Sequence, residues 1–232
     1  FLQLTSRSTV APIGVMVSHG NLLHNARLIQ AGFQHPDGAT SVFWLPEYHD
    51  MGLIGGILQP LYLGVRSVRM SPVDFLQKPL RWLQAISDYS AATSGAPNFA
   101  YELCVAKTTP EERALLDLSC WTLAFSGAEP VRAETLDRFA QAFAESGFRR
   151  QAFYSCYGLA EATLLISGGQ RLEGYQTLTL NEAALTEHVL LPSTQPSNSE
   201  SSSCTLVSCG KVGVEQQLLV VDPYSREIAQ EN

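Results

Sequence analysis

The sequence predicts an α/β fold in which a largely parallel sheet is flanked by helices. Between residues 41 and 166, short apolar runs alternate with helical patterns, the order expected of strands and crossover helices. Runs such as SVFWLP, at 41–46, are apolar almost throughout and indicate buried strands. Hydrophobic residues make up 45% of the 232-residue chain and charged residues 16%, proportions typical of a globular protein with a sizeable core.

The elements can be assigned in chain order from their patterns. Strands are expected at 1–4, 14–18, 41–46, 65–70, 91–95, 121–127 and 151–158. Helices are expected at 21–33, 53–63, 79–89 and 98–107. In the helix at 79–89, Leu80, Leu83 and Ile86 share one side and should face the core.

Further helices are marked by local signals. Residues 109–112, Thr-Pro-Glu-Glu, form a capping box with proline at the first helical position. A later helix should bury the stripe Leu136, Phe139, Ala140 and Phe143. After the strand at 151–158, the run LAEATLLI is predicted to continue as a helix.

The character of the sequence changes after Gly169. The first unit, 1–169, is predicted to be the α/β core. Residues 170–209 have mixed signals and include the serine-rich tract STQPSNSESSSC, which predicts a flexible loop in an inserted segment. Residues 210–232 start another β-rich unit, with a strand at QQLLVV and a turn at Asp222-Pro223.

Bulk composition excludes several classes of protein. Fifteen Lys and Arg against twenty-two Asp and Glu give a net charge of −7, which argues against a nucleic-acid partner. The five cysteines have no zinc or redox spacing, and their odd number is typical of reduced thiols in the cytoplasm. No apolar run is long enough to span a membrane. Because the chain begins within an apolar run and ends at AQEN, we expect it to be a piece of a longer protein.

The opening stretch TSRSTVAPIGVMVSHGN contains the first candidate site. Thr5, Ser6, Ser8 and Thr9 offer four hydroxyls within five residues, between two predicted strands. Hydroxyls and backbone N–H groups in such a loop can bind phosphates. From these residues alone, a Ser/Thr-rich turn is the more common interpretation of such a cluster.

Three further stretches place chemistry-bearing residues after predicted strands, where ligands of open parallel sheets bind. His49 lies in WLPEYHDMGLIGG, and it could orient a substrate or move a proton, or be a loop residue beside a capping Asp50. FSGAEPV and YSCYGLAEAT contain Gly127 and Gly158, followed by glutamates. Glu129 and Glu161 could serve a nucleotide and its Mg²⁺, or only complement helix dipoles.

The order of these four stretches resembles that in the AMP-forming acyl-activating superfamily, and within it the fatty acyl-AMP ligases. The opening stretch is similar to that family's phosphate loop, T-S-G-S-T-G-x-P-K-G. WLPEYHDMGLIGG, SPVDFLQKPLRWLQAISDYSAATSGAPNFAYELC, FSGAEPVRAETLDRF and FYSCYGLAEATLLISGG also resemble the ligases. The serine-rich tract falls where these ligases carry an inserted segment. The resemblance implies the fold of the N-terminal domain of adenylate-forming enzymes, incomplete here at both ends.

The resemblance also implies a reaction and a set of site residues. A fatty acid would react with ATP to give an acyl-adenylate, and the acyl group would pass to an acyl carrier protein or a polyketide or peptide synthase module. Thr5, Ser6, Ser8 and Thr9 would contact the β- and γ-phosphates; Gly127, Ala128, Glu129, Pro130, Tyr157 and Gly158 would form the adenine pocket. Glu161 would bind Mg²⁺, His49 would lie by the acyl carboxylate, and Gly95, Pro97, Asn98 and Phe99 would border the acyl tunnel.

The phosphate loop departs from the family pattern at three positions. Arg7 and Val10 stand where the pattern has glycine, and Ile13 stands where it has lysine. Losing one positioned donor costs about 10²–10³ in rate in comparable sites. We therefore expect an impaired loop, with rescue by the Arg7 guanidinium as a hypothesis.

Two other functions are alternatives to a fatty acyl-AMP ligase. The first is a degenerate adenylation domain that only binds an acyl chain or a carrier protein, and the second is an acyl-CoA synthetase. We also expect little adenylate formation by this chain alone.

Overall fold

The computed structural model describes residues 1–5, 13–193, 203–213 and 215–228. Its strands are β1 (Leu2–Leu4), β2 (Gly14–Met16), β3 (Ser41–Phe43), β4 (Ser67–Arg69), β5 (Thr93–Ala96), β6 (Leu123–Ser126), β7 (Phe153–Gly158), β8 (Leu165–Gly168), β9 (Thr177–Asn181), β10 (Ser203–Val207) and β11 (Lys211–Val212). Its α-helices are α1 (His19–Phe33), α2 (Gln59–Leu63), α3 (Pro72–Gln77), α4 (Leu80–Asp88), α5 (Asn98–Lys107), α6 (Pro110–Arg113), α7 (Ala133–Ala142) and α8 (Glu182–Thr186). A π-helix spans Met51–Leu58, directly before α2.

A seven-stranded sheet in the order β11-β8-β7-β6-β5-β3-β4 forms the centre of the molecule. The five strands from β4 to β7 are parallel, whereas β8 and β11 join antiparallel at one edge. Strands β1 and β2 form a separate hairpin, and β9 and β10 form a separate antiparallel pair whose connection contains α8. The predicted α/β class with a largely parallel sheet is therefore confirmed.

Helices α4, α5 and α7 pack on one face of the sheet around an aromatic cluster. Trp82, Tyr101, Trp121, Phe139 and Phe153 are fully buried there. Their rings meet mainly edge to face, with centroids 5.1–6.3 Å apart among the contacting pairs. The side chains of Phe43 and Phe125 lie on the other face of the sheet, under α1 and the π-helix, where the chain leaves a cavity.

Several local predictions are confirmed at the expected residues. Leu80, Leu83 and Ile86 of α4 are buried. The capping box forms at α6, where the Thr109 side chain accepts from the backbone N–H of Glu112 and the Glu112 carboxylate accepts from Thr109 N–H. In α7, Leu136 and Phe139 are buried, whereas Ala140 lies at the edge of the packed stripe. Helix α3 was not predicted.

The predicted helix over LAEATLLI is wrong. A single 3₁₀ turn at Ala160–Ala162 is followed by the antiparallel strand β8. The chain reverses at Thr163, whose φ of 74° ends the turn, and Leu159 N–H then donates to the carbonyl of Leu164. The apolar run pairs with β7 because neighbouring strands and α1 bury its residues, which no local helical preference can match.

Two other predictions need correction. The helical run at 53–63 starts as a π-helix and becomes regular only at α2. The predicted strand QQLLVV does not form in the part of it that the structure describes: Val221 makes only an isolated bridge with Ile228, and Leu218 and Leu219 are each 61% exposed. No sheet neighbour covers this run, so its apolar residues alone do not make a strand. The turn at Asp222-Pro223 is confirmed by hydrogen bonds from Tyr224 and Ser225 N–H to the Asp222 carboxylate.

Within the described ranges, no helix combines the length and the apolar character needed to cross a bilayer.

Candidate active site

A cavity of about 480 Å³ opens at the carboxyl ends of β6 and β7 and extends along the face of the sheet opposite the aromatic cluster. Thr5, His49, Gly127, Ala128, Tyr157, Gly158 and Glu161, all predicted from the sequence, line it. The fold thus brings together residues from four separate stretches of the chain. This position, outside the strand ends of a parallel sheet, is where α/β proteins bind ligands.

The base of the predicted phosphate loop is closed by Thr5 and Ile13. Thr5 N–H donates to the Ile13 carbonyl at 3.0 Å, and Ile13 N–H donates to Thr5 Oγ1 at 3.1 Å. Thr5 is buried at the cavity, whereas Ile13 is half exposed. The remaining predicted phosphate ligands, Ser6, Ser8 and Thr9, and the departures Arg7 and Val10 lie outside the described residues. The hairpin of β1 and β2 nevertheless fixes where this loop leaves and re-enters the fold.

His49 and Asp50 form an ion pair at the cavity wall. His49 Nδ1 lies 2.7 Å from Asp50 Oδ1, and Asp50 Oδ1 also accepts from Met51 N–H at 2.7 Å. The hydrogen bond to Asp50 raises the pKa of His49 above its ordinary value, against the opposing effect of partial burial. The predicted capping role of Asp50 is confirmed at the π-helix, and His49 lines the cavity, so a role of its ring toward a substrate stays a prediction.

The loop after β6 carries a conformation that is uncommon for its residues. Ala128 has a φ of 68°, which costs an L-residue roughly 1–2 kcal/mol. Glu129 Oε1 accepts a hydrogen bond from Phe99 N–H at 2.7 Å, so the loop after β6 is tied to the start of α5. Gly127 and Ala128 line the cavity, but the structure does not place Glu129 or Pro130 in its wall.

The turn after β7 forms the other side of the cavity mouth. Tyr157 is 50% exposed and presents its ring beside Gly158. A Cβ at Gly158 would lie 1.9 Å from the Leu164 carbonyl oxygen, so the close return of the chain to β8 requires glycine there. Glu161 follows on the 3₁₀ turn and also lines the cavity.

A nucleotide with Mg²⁺ is compatible with these residues. No group of three or more His, Cys, Asp or Glu side chains that could hold a metal occurs in the described portion of the chain. Mg²⁺ commonly uses one or two protein carboxylates together with substrate phosphates and water. A single carboxylate such as that of Glu161 therefore fits an ion that arrives with the nucleotide, rather than a permanent metal centre.

The four residues expected to border an acyl tunnel do not line this cavity. Gly95 lies beneath Phe125, and a Cβ at Gly95 would come within 2.3 Å of the Phe125 ring. Asn98 Oδ1 accepts from Arg132 N–H at 3.0 Å, and Phe99 packs edge to face on Trp44. Pro97 precedes α5 as its cap. Gly95 thus shapes the cavity indirectly, because it lets Phe125, which lines the cavity, lie flat across the sheet.

The apolar wall of the cavity was not found by sequence reasoning. It is formed by Ile29, Phe33, Phe43, Met51, Leu63 and Leu164. These residues come from α1, β3, the π-helix, α2 and the turn before β8, and each resembles an ordinary core residue in its own segment. Alternation along the strands was the available signal, since Phe43 and Phe125 project from the face opposite Val42 and Ala124.

Comparison with known proteins identifies the family of this chain. The model of the AMP-binding enzyme family matches residues 1–232. A medium-chain-fatty-acid–[acyl-carrier-protein] ligase, TtuA from Teredinibacter turnerae, is 46% identical over 97% of this chain and 35% of its own length. The corresponding ligase JamA from Moorena producens is 44% identical over 97% of this chain and 38% of its length.

Solved structures give the same result. The fatty acyl-adenylate ligase from Legionella pneumophila, determined with acyl adenylate and pyrophosphate, superposes with a TM-score of 0.89 at 50% identity. The match covers 96% of this chain and 38% of that one. The chain therefore spans somewhat more than a third of the length of the relatives it matches. From the match along its whole length and the agreement of fold, the chain belongs to the AMP-binding enzyme family and resembles the fatty acyl-AMP ligases within it.

Proposed function

We propose that this chain supplies the substrate cavity of an enzyme that activates a fatty acid with ATP and transfers the acyl group to a carrier protein. The observation that carries the proposal is one continuous cavity, polar at the strand ends and apolar beneath α1 and the π-helix. A fatty acid needs the polar part of the cavity for its carboxylate and the apolar part for its hydrocarbon chain. The ligase names of the relatives and the acyl adenylate in the Legionella structure support the same substrate class.

In the first step, a carboxylate oxygen of the fatty acid attacks the α-phosphorus of ATP. The bond from that phosphorus to the bridging oxygen breaks, and pyrophosphate leaves with the electron pair. The His49–Asp50 pair lies where it can orient the carboxylate, and a protonated His49 would also attract it. Thr5, Gly127, Ala128, Tyr157 and Gly158 would hold the nucleotide, with Glu161 as the carboxylate for Mg²⁺. Catalysis here is positioning and stabilisation of phosphate charge.

In the second step, the thiol of a phosphopantetheine arm attacks the acyl carbon, and AMP leaves as the thioester forms. The proposed partner is an acyl carrier protein or a polyketide or peptide synthase module, as the names of the two carrier-protein ligases support. We place this activity in the cytoplasm, where ATP and carrier proteins are available.

The unit boundaries form part of the proposal. Residues 1–169 would be the adenylation core, 170–209 the inserted segment and 210–232 the start of the next unit. The insertion is not detached: Tyr175 OH donates to Asp137 Oδ1 at 2.6 Å, and Ser155 Oγ donates to the Ser208 carbonyl at 2.6 Å. These contacts join the insertion to α7 and β7.

We propose that the altered phosphate loop is the part of the site that limits formation of the acyl-adenylate. Ile13 cannot supply the cation that the family pattern provides, and the Thr5–Ile13 clamp holds its backbone in the hairpin. The chain by itself is therefore expected to form little acyl-adenylate. The alternative of a degenerate domain that binds an acyl chain or a carrier protein without turnover is favoured by two of the altered positions, Val10 and Ile13.

Calorimetry with ATP and with a non-hydrolysable acyl-adenylate analogue tests the proposal on this chain and on the triple variant Arg7→Gly, Val10→Gly, Ile13→Lys. We expect the analogue to bind both proteins and ATP to bind the variant more tightly. If ATP binds both equally well, the loop is not impaired, and Arg7→Gly alone then tests rescue. If neither ligand binds either protein, the adenylation site proposed here is wrong.

An acyl-CoA synthetase is the remaining alternative. Product analysis of the longer protein with a fatty acid, ATP and either coenzyme A or a carrier protein separates the two. Thioester formed mainly on the carrier protein supports the proposed ligase, and thioester formed mainly on coenzyme A contradicts it.

A further inference from the structure

The far end of the cavity is polar, although its middle is apolar. His35, Ser41 and Thr93 line it there. Ser41 and Thr93 are the first residues of β3 and β5, so they lie at the amino edge of the sheet, opposite the proposed adenylation site. The cavity therefore runs from one edge of the sheet to the other and ends at hydrogen-bonding groups.

The distance between the two polar ends can be derived from the strand register. Thr93 pairs with Leu123, and Gly127 lies four residues further along the same direction. At a rise of 3.3 Å per residue, this separation is roughly 13 Å. Because Gly127 belongs to the proposed adenine pocket, this separation is an upper bound for the acyl chain, and an extended acid of medium length, such as decanoate, is of about this size.

His35 and Thr93 form a hydrogen-bonded pair at this far end. His35 Nδ1 lies 2.9 Å from Thr93 Oγ1. Burial, with a smaller effect from the Arg171 guanidinium, lowers the pKa of His35 to about 4, so its ring is neutral at physiological pH. The Arg171 guanidinium itself donates to the Gln34 carbonyl and to Thr122 Oγ1 and does not line the cavity.

The second ring nitrogen of His35 makes no hydrogen bond with the described residues and is not among their fully buried unpaired atoms, so it is accessible to water or to a ligand in the cavity. A neutral imidazole beside a threonine hydroxyl can donate or accept, according to its tautomer. A hydroxyl group, which both donates and accepts, matches either tautomer. A plain methyl end at the same depth would leave the imidazole nitrogen without water and without a partner, which is unfavourable.

We propose that the His35–Thr93 pair is a specificity site for an acyl chain that carries a hydroxyl at the end remote from its carboxylate. This inference rests on the proposed function, since it takes the cavity to be the acyl tunnel. The substrate class is then a medium-length ω-hydroxy fatty acid rather than an unsubstituted one. Sites built to hydrogen-bond a hydroxyl discriminate strongly against analogues that lack it, because their polar groups are left unpaired.

Calorimetric titration of this chain with decanoate and with ω-hydroxydecanoate tests the inference directly. We expect the hydroxy acid to bind at least about fivefold more tightly, which corresponds to about 1 kcal/mol. His35→Phe should abolish or reverse this preference, and His35→Gln, which keeps a donor and an acceptor, should retain part of it. His24→Gln, on α1 and outside the cavity, is the control and should leave the ratio unchanged.

Each result has a defined meaning. Equal affinities of the unchanged chain for the two acids, or a preference that survives His35→Phe, would overturn the specificity site and leave the proposed acyl tunnel in place. Binding of neither acid would overturn both. Thr93→Val supplies a second variant: it removes the hydroxyl of the pair at similar volume and should also reduce the preference, so the test does not depend on one substitution.

Discussion

The side-chain amide of Asn25 and the backbone of Leu165, 140 residues apart, exchange two hydrogen bonds. Asn25 Nδ2 donates to the Leu165 carbonyl at 2.9 Å, and Leu165 N–H donates to Asn25 Oδ1 at 3.0 Å. Asn25 is buried on α1, and Leu165 begins β8. The amide thus takes the place of a neighbouring strand at the point where β8 starts, and it fixes α1 over the cavity.

Removing this amide should destabilise the fold. Asn25→Ala would leave the N–H and the carbonyl of Leu165 without their side-chain partner, and buried unpaired groups cost about 1–3 kcal/mol each. We expect urea unfolding to show a loss of about 2–4 kcal/mol. Arg27→Ala, at an exposed position two residues along α1, is the control and should change stability little. A loss as small as that of the control would contradict the role of Asn25.

Gly52 should not tolerate a side chain. A Cβ there would lie 1.9 Å from the Pro46 carbonyl oxygen, and backbone atoms cannot yield as a flexible side chain can. Gly52→Ala should therefore push the π-helix away from the loop that holds His49 and cost about 1–3 kcal/mol. It should also weaken binding of an acyl-adenylate analogue. Gly20→Ala, where the nearest atom lies 3.6 Å away, is expected to be neutral or stabilising in the same unfolding and binding measurements.

The pKa of His49 should depend on Asp50. Because the folded pKa is raised above the ordinary value of about 6.5, the pair stabilises the fold below that pH. This contribution is lost as the pH rises through the folded pKa. Asp50→Asn should lower the His49 pKa in an NMR titration of its ring protons. An unchanged titration would show that the 2.7 Å contact does not hold the proton.

The titration of His35 should change the stability of the fold with pH in the direction opposite to that of His49. Its folded pKa of about 4 lies below the unfolded value of about 6.5, so between these values the unfolded chain binds the proton and the folded chain does not. Stability should fall as the pH falls through this window, by at most about 1.4 kcal/mol per pH unit. His35→Gln should show a smaller loss between about pH 7 and about pH 5, measured by urea unfolding at each pH. Equal losses in the two proteins would show that His35 titrates normally.

The Glu129 carboxylate should stabilise the first turn of α5 locally and contribute little to the stability of the whole fold. Its carboxylate accepts from Phe99 N–H at 2.7 Å from an exposed position. In Glu129→Ala, we expect faster hydrogen exchange at the Phe99 amide with little change in the unfolding midpoint. Glu134→Ala, which removes an exposed carboxylate from the first turn of α7, should leave exchange at Phe99 unaltered. Faster exchange in both variants would point to a general effect of charge.

Local patterns were sufficient where one segment carries its own signal. The capping box at Thr109 and Glu112 depends on residues three apart, and the buried stripe of α4 depends on helical spacing. Gly127, Tyr157 and Glu161 could be placed near one another because parallel strands present their carboxyl ends at a common edge. Pro97, Asn98 and Phe99, which the resemblance places at an acyl tunnel, do not line this cavity, and their loop is held by Arg132 and Glu129.

The sequence by itself determined the α/β class, the positions of the central strands along the chain and the polar residues at their ends, because these follow from burial periodicity and local turn chemistry. Tertiary structure alone decided that LAEATLLI becomes a turn and a strand, since Asn25 and β7 supply its hydrogen bonds. It also decided the apolar tunnel and its His35–Thr93 end. These features depend on contacts between residues far apart in the chain, and no local pattern specifies which distant side chains will meet.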